Sequence, residues 1–281
     1  MRTILIPVDA SATTRNAVKF AANWAKQYAY DHIILLMVSN ESMFDYLHIA
    51  DPYSMIAEDH VNLVRKDTEA LFRNLSQAVK EIVPDISLST VLSRSSIIRT
   101  INESLKENPS VELIVLGADL HYNNDDSPVS EHIVEIARTS PVRTLIVPNN
   151  HHYTKVETVL APCDITQIGK LERISKFKER LQINHLKLDL LHIHHKSEII
   201  DQHKKQELKE YVSQHFADIT TDIHYSQDPD TIKGISSFVA GHSVDIITAL
   251  PGKHSFLYYL MNKSVTEAIY QNINKPVMIL K

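Results

Sequence analysis

The sequence predicts an α/β protein made of two tandem doubly wound units, each a parallel sheet flanked by helices. Two observations support this prediction. Short runs of β-branched and aliphatic residues alternate with segments of helical periodicity along the whole chain. The order of these runs in the first half is then repeated in the second half.

Five compact apolar runs predict the strands of the first half. Because the runs are short and rich in aliphatic and β-branched residues, they are typical of parallel strands buried on both faces. Parallel neighbours need crossover connections, which the helical segments between the runs supply. The predicted strands are Thr3–Val8, His32–Val38, Ile86–Leu92, Val111–Leu116 and Arg143–Val147.

The segments between these strands carry apolar side chains at helical spacing. One stripe runs from Ala17 to Tyr28, with apolar residues three or four positions apart on one helix face. A second stripe runs from Val61 to Ile82, and a third begins at Ile97. Each stripe predicts an amphipathic helix that packs against the sheet.

The second half repeats the first at a traceable offset. Thr3–Asp9 (TILIPVD) matches Thr158–Asp164 (TVLAPCD) at an offset of 155 residues. At the fourth strand Val111–Ile114 matches Val244–Ile247, and the offset has fallen to 133. The first half therefore contains 22 additional residues, which we place around Asn40–His60, after the second strand.

The additional residues leave two interpretations open. The apolar and aromatic side chains of Asn40–His60 favour a helical extension that covers its own apolar patch. The alternative is a lid over a site or a surface for a partner, because long loops in compact domains are often functional.

The repeat predicts two domains, residues 1–149 and residues 154–281, joined by a short polar linker. Two linked copies can pair through a pseudo-twofold interface, as identical subunits do. Whether whole chains pair further into a homodimer stays open.

Composition excludes several classes of protein. The 29 basic and 34 acidic side chains give a formal charge of −5 without a basic block, so we expect no attraction to nucleic acid or to an anionic membrane. No stretch approaches the roughly 20 apolar residues of a membrane span, and Pro7 and Asp9 come too early for a signal peptide. The lone Cys163 excludes intramolecular disulfides and favours a cytoplasmic location.

We predict neither catalytic residues nor a metal site. The chain contains no Gly-x-Ser-x-Gly or His-Glu-x-x-His motif. His192 and His194 share one face of a predicted strand, but no Cys pair or helical His pair completes a tetrahedral metal set. We interpret these histidines as partly solvated, and Cys163 as a small buried apolar side chain.

The order of the motifs resembles that of universal stress proteins. Their opening is similar to Ile6–Asp9 (IPVD), which closes the first strand before an Ala-rich helix. Their closing pattern of an acidic residue, an apolar strand, a helix and a Pro-Val strand is similar to Asp245–Ala249 followed by Lys275–Leu280. The resemblance covers essentially the whole chain. It implies that each half has the five-stranded, Rossmann-like fold of the adenine nucleotide alpha hydrolases.

The resemblance also implies where an adenine nucleotide would bind. ATP-binding members of the family hold adenosine over the carboxyl ends of the first strands. In the first half the implied site residues are Pro7, Val8, Asp9, Val38, Gly117 and Ser127. Their counterparts in the second half are Pro162, Asp164, Lys253, Lys263 and Ser264. For Asp9 and Asp164 the alternative role is that of a helix N-cap.

The family's phosphate loop is poorly kept in both halves. Binding members use Gly-x-x-Gly, nine residues and Gly-Ser/Thr, so that bare backbone amides reach the phosphates. The first half keeps Gly117 and loses the later glycines. In the second half Leu250, Lys253 and Lys263 occupy all three glycine positions. The resemblance therefore implies a degenerate site, above all in the second half.

These observations predict a non-enzymatic, stress-related regulatory protein that acts through protein partners not identified by the sequence. The alternative is an ATP or AMP sensor that uses mainly the first domain, with one nucleotide per chain at Asp9 and Gly117. A third hypothesis is an unrelated enzyme on the same scaffold, because one fold hosts many chemistries.

Overall fold

A computed structural model describes residues 1–38, 54–118, 129, 132–181, 186–194, 201–250 and 274–281, with residues 54–64 described as backbone alone. In the first half, strands and helices alternate as predicted. The strands are β1 (Thr3–Val8), β2 (His32–Val38), β3 (Ser87–Ser93), β4 (Val111–Ala118) and β5 (Arg143–Pro148). The helices are α1 (Ala12–Gln27), α2 (Ser54–Ile82), α3 (Ile97–Glu107) and α4 (Ile133–Thr139). β1 and β2 have the predicted bounds, and the other strands differ from prediction by one or two residues.

The second half follows the same order of strands, with a different first helix. Its strands are β6 (Thr158–Pro162), β7 (Lys187–His194), β8 (Thr220–Gln227), β9 (Ile246–Ala249) and β10 (Val277–Ile279). A 3₁₀ helix (Ile165–Leu171) leads directly into α5 (Glu172–Leu181), and α6 (Gln202–His215) and α7 (Thr231–Gly241) follow.

The ten strands form one continuous sheet in the order β3-β2-β1-β4-β5-β10-β9-β6-β7-β8. The strands of each half are parallel to one another, which confirms the predicted five-stranded doubly wound units. The two units join edge to edge, where β5 and β10 pair antiparallel with Val277 opposite Ile146. This antiparallel seam has the arrangement that a pseudo-twofold axis produces.

The strand register reproduces the internal repeat residue by residue. In the first half Ile4 lies opposite Leu113, and in the second half Val159 lies opposite Ile246. These pairs are related by the offsets of 155 and 133 that the sequence shows. The repeat is therefore structural, whereas the domain limits 1–149 and 154–281 stay a prediction.

Helices cover both faces of the sheet. The helices α1, α2 and α5, the 3₁₀ helix and α6 pack on one face, and α3, α4 and α7 pack on the other. The predicted stripe on α1 is buried, with Phe20 and Trp24 at most 2% exposed. Burial of a large side chain of this kind stabilises a fold by roughly 1.5–3 kcal/mol. The buried cluster on each face includes residues of both halves.

The connection between the second and third strands differs most between the halves. In the first half it contains the 29-residue α2, and in the second half the 14-residue α6. The excursion predicted around Asn40–His60 is mostly outside the described residues, and its last residues, 54–60, are the first turns of α2. Within the described ranges, no helix is long and apolar enough to cross a membrane.

The linker between the halves packs against α1 rather than lying free. The Asn16 side-chain amide donates to the carbonyl oxygens of Pro148 and His151, at 2.9 and 3.0 Å. The Tyr153 ring meets Phe20 edge to face, with ring centroids 4.9 Å apart. His151 is half-buried, and burial lowers its pKa below the ordinary value. Its Nδ1 lies 3.2 Å from the carbonyl oxygen of Asn274, which precedes β10, so this part of the linker also contacts the second half.

Candidate functional site

The candidate site of the first half lies where the strand order reverses. β1 has β2 on one side and β4 on the other, so the carboxyl ends of β1 and β4 form the crevice in which ligands bind in open α/β sheets. Pro7, Val8 and Asp9 are buried at the end of β1, and Val38 is half-buried at the end of β2. Gly117 stands near the end of β4, and Ser127 lies outside the described residues.

The Asp9 carboxylate organises the start of α1. It is 8% exposed, and its Oδ1 accepts from the Ser11 N–H at 3.0 Å and from the hydroxyls of Ser11 and Thr14. Its Oδ2 lies 3.5 Å from the backbone nitrogen of Val129. The helix N-cap is Ser11, whose hydroxyl oxygen accepts from the Thr14 N–H. The N-cap alternative is therefore wrong for Asp9 itself, which instead holds the capping residue in place.

Gly117 allows α1 to approach β4 closely. A Cβ atom at this position would lie 2.7 Å from the Thr13 carbonyl oxygen and 2.8 Å from its Cγ2. Real Cβ atoms do not come that close to backbone, so any side chain here would push the first turn of α1 away from the sheet. The glycine that the family resemblance singled out for phosphate contact thus has a packing role in this chain.

The second half builds the same edge differently. Pro162 is buried, and Asp164 is the N-cap of the 3₁₀ helix. The Asp164 carboxylate accepts from the N–H and hydroxyl of Thr166 at 2.8 and 2.7 Å, and from the Gln167 amide at 2.7 Å. Burial alone would raise the pKa of Asp164, but these hydrogen bonds outweigh it and the pKa lies below its ordinary value. The N-cap alternative is confirmed for Asp164.

Leu250 occupies the position that corresponds to Gly117. Its side chain is 4% exposed and belongs to the same buried cluster as Ile165 and Ile168 of the 3₁₀ helix. A bulky apolar side chain therefore lies where the first half has bare backbone against a helix. Lys253, Lys263 and Ser264 lie outside the described residues, so their predicted degenerate role stays a prediction.

Of the two histidines at the end of β7, His192 is more buried than predicted and His194 is half-buried, in agreement with the prediction. His192 is 9% exposed, and its Nδ1 lies 3.3 Å from the Ile165 nitrogen and 3.2 Å from the Cys163 carbonyl oxygen. His192 and His194 lie on one face, with their rings parallel and their centroids 6.1 Å apart. Burial raises the pKa of the half-buried Cys163 thiol to about 12, so the sulfur is protonated and poorly nucleophilic.

A charged cluster in the second half was not predicted from the sequence. Asp189 of β7 is 1% exposed and accepts from His224 Nε2 of β8 at 3.0 Å. Lys187 Nζ lies 3.1 Å from Asp189 and 3.0 Å from Asp222. These ligand-type atoms are grouped as a metal site would require, but the Lys187 ammonium already supplies the positive charge. The available signal was an aspartate at a central position of the strand Lys187–His194, between Leu188 and Leu190.

The first half of the chain matches the sequence model of a known protein family. The model of the universal stress protein family matches residues 1–148, which contain β1 to β5. No curated protein is similar enough to the sequence to match it.

Solved structures of similar fold cover both halves. A universal stress protein from Archaeoglobus fulgidus is 15% identical with a TM-score of 0.63, and the match covers 99% of this chain and 96% of that one. A functionally unknown protein from Pseudomonas aeruginosa is 14% identical, with a TM-score of 0.56 and coverage of 100% and 92%. The cytoplasmic domain of a prokaryotic cation chloride cotransporter is 10% identical, with a TM-score of 0.53 and coverage of 99% and 95%. At these identities the matches show the fold alone.

Proposed function

The chain belongs to the universal stress protein family, and on this premise we propose that it is a non-enzymatic regulatory protein with a degenerate nucleotide site. The observation that carries this proposal is the set of hydrogen bonds that the Asp9 carboxylate already accepts from the chain itself. Its Oδ1 accepts three hydrogen bonds from the first turn of α1. A ribose hydroxyl would have to displace a Ser11 or Thr14 donor to reach that oxygen, so it gains little net hydrogen bonding.

The surviving glycine supports the same proposal. Tight nucleotide loops need glycine so that backbone amides can approach the phosphates. Gly117 is needed in this chain because the Thr13 backbone lies against it. The two residues that best preserve the family's site in the first half are thus both explained by the packing and capping of α1.

The site of the second half is less suited to nucleotide binding than the site of the first half. The first helical segment of the second half is a 3₁₀ helix with a non-helical residue at Gln167 (φ −129°, ψ 41°). The helix dipole that attracts phosphates needs several aligned peptide units, and this interrupted segment supplies few. Leu250 adds a buried side chain at the first glycine position. We infer that this half supports the fold and contacts partners rather than binding ATP.

The regulatory role would be exercised through protein contacts in the cytoplasm, where a lone protonated thiol stays reduced. The second candidate function is an ATP or AMP sensor. It is favoured by the first half alone, where the 16-residue α1 begins at the carboxyl edge of the sheet and points its N-terminus toward the crevice.

Calorimetric titration of the full chain with ATP tests the proposal. We expect no saturable binding, or a Kd of about 1 mM or weaker, which corresponds to about −4 kcal/mol. Release of nucleotide from the purified protein by heat should yield no ATP or AMP. Micromolar binding of one ATP per chain would overturn the proposal in favour of the sensor. Two equivalent sites would overturn the assignment of the second half as well.

A further inference from the structure

A cavity of about 650 Å³ opens at the seam, on the edge of the sheet opposite the candidate nucleotide site. It lies at the amino ends of β4 and β5, and α5 of the second half forms its other wall. Glu112 and Arg143 line it from the first half, and Lys176, Glu179, Arg180 and Lys281 line it from the second. The volume is typical of a small-molecule site.

One acidic group of this seam cavity, Glu112, is already paired with cations. Glu112 accepts from the guanidinium of Arg180 and from Arg2 Nε at 3.2 Å. Burial alone would raise the pKa of Glu112, but these hydrogen bonds outweigh it, and the pKa lies below its ordinary value. Glu179 accepts from the Ser175 hydroxyl at 3.2 Å. Glu112 therefore contributes little toward balancing further cations.

Two of the cations form no close ion pair with a carboxylate among the residues that the structure describes. The Glu112 carboxylate attracts Arg143 from a longer distance. The half-buried Arg143 guanidinium lies 5.5 Å from the centre of the Phe177 ring, and no described carboxylate forms an ion pair with it. Lys281 Nζ donates to the Ala137 carbonyl oxygen at 2.6 Å. Burial lowers the pKa of both groups. Arg143 is half-buried and Lys281 is exposed, so Arg143 is the partly desolvated cation that an anion reaching it would stabilise most.

We propose that the seam cavity binds a small phosphorylated molecule, with Arg143 and Lys281 holding its phosphate group. Four basic and two acidic side chains line the cavity, which leaves two positive charges. A phosphate monoester carries about −1.5 to −2 charges at neutral pH, so one such group balances the lining. The planar guanidinium of Arg143 can donate two parallel hydrogen bonds to it.

The same ligand would bridge the two halves. Arg143 begins β5 of the first half, whereas Lys281 follows β10 and Lys176 lies on α5 of the second half. A ligand that contacts both walls binds the docked halves better than the separated ones. Its binding therefore stabilises the seam through linkage.

Inorganic phosphate is the first probe, because it carries no base and does not report on the Asp9 site. Thermal unfolding of the full chain is measured in phosphate and in sodium chloride of equal ionic strength. At about ten times its Kd, phosphate should raise the Tm by roughly 2 °C or more. Succinate, a dicarboxylate of equal charge, serves as the comparison. It should raise the Tm less than phosphate does, because each of its carboxylate groups is planar and the two groups lie further apart than the oxygens of one phosphate.

Three variants connect the effect to the cavity. Arg143→Gln and Lys281→Gln should each weaken phosphate binding about tenfold or more, as expected for a lost charged hydrogen bond. Lys281 lies outside the strands and helices, so Lys281→Gln tests the site even if Arg143→Gln folds poorly. Arg99→Gln removes the same charge from exposed α3 and should leave binding unchanged.

Several outcomes would overturn the proposal. Phosphate could stabilise the chain no more than sodium chloride does, or Arg99→Gln could weaken binding as much as Lys281→Gln. A larger effect of succinate than of phosphate would also contradict the assignment to a phosphate group.

Discussion

The two halves share their strand order and register, yet they begin their first helical segments in different ways. In the first half, Asp9 and Ser11 start a regular 16-residue helix. In the second half, Asp164 starts a 3₁₀ helix that continues into the ten-residue α5. Buried aliphatic strands tolerate little change in register because a slip would move their side chains to the wrong face. Residues at the carboxyl edge carry no such constraint.

Gly117 and Leu250 occupy equivalent positions, and each fits the helical segment that follows the first strand of its own half. Where a helix packs directly on the strand end, only glycine fits. Where the 3₁₀ segment replaces that helix, a leucine is buried with Ile165 and Ile168 instead. Exchange of residues between the halves is therefore a direct way to test the comparison.

The largest effect is expected from Gly117→Leu, which introduces the residue of the second half into the first. The new side chain collides with the Thr13 backbone, and we expect a loss of about 3 kcal/mol in the free energy of unfolding. Urea unfolding followed by circular dichroism measures it. Gly169→Leu is the matched control, because a Cβ there meets nothing within 4 Å. Equal losses in the two variants would contradict the packing role of Gly117.

Next in size is the difference between the two aspartates. Asp9→Ala removes a buried carboxylate that accepts three hydrogen bonds, so we expect a loss of about 2 kcal/mol. Asp164→Ala removes a half-buried N-cap, for which about 1 kcal/mol is expected. Midpoints of urea unfolding at neutral pH give both values. A larger loss for Asp164→Ala would reverse the comparison.

The pH dependence of the second site follows from the lowered pKa of Asp164. A carboxylate whose pKa is lower in the folded state stabilises the fold at pH values above its unfolded pKa. This stabilisation is lost as the pH falls through the lower folded value. Asp164→Asn should therefore reduce the loss of stability between about pH 5 and pH 2. If the loss of stability at low pH is the same in Asp164→Asn as in the unchanged chain, Asp164 does not contribute to it.

A second exchange concerns the buried charge of the second half. Asp189 and His224 correspond to Ile34 and Val91 of the first half, by the offsets of 155 and 133. Asp189→Ile alone leaves His224 without its acceptor, and we expect a loss of about 1–2 kcal/mol. Asp189→Ile combined with His224→Val introduces the apolar pair of the first half into the second half. The double variant should recover most of the lost stability. Additive losses in the urea midpoints would count against this coupling.

The smallest effect concerns two residues in the left-handed region. Ala29 has φ 51° after α1, and Asn274 has φ 41° before β10. Because alanine tolerates this conformation poorly and asparagine tolerates it well, Ala29→Gly should stabilise the chain by roughly 0.5–1 kcal/mol. Asn274→Gly should have a smaller effect. Thermal unfolding of the two variants side by side decides the order.

Much of the fold could be predicted because its signals are local in sequence. The strand β1 was predicted with its observed bounds, and the repeat between Thr3 and Thr158 predicted the second sheet. The family resemblance implied five strands in each half but not their order, which the structure shows. The continuous sheet was not predicted, because the pairing of Ile146 with Val277 joins strand edges that carry no distinguishing pattern.

Less of the candidate site could be predicted. The sequence placed Asp9 and Gly117 at one edge of the sheet, and the structure agrees. Their shared role in starting and packing α1 depends on the contact between Gly117 and Thr13. No spacing in the sequence predicts that contact, because the two residues belong to separate elements that are far apart along the chain.

The sequence by itself determined the repeated α/β architecture and the membership of the chain in its family, since alternation, periodicity and offset are properties of the chain alone. Only the tertiary structure decided which charges meet. It brought His224 to Asp189 and placed α5 beside Arg143 at the seam. The physical reason is that burial and ion pairing depend on distances in space, and residues far apart in sequence acquire those distances only when the sheet has formed.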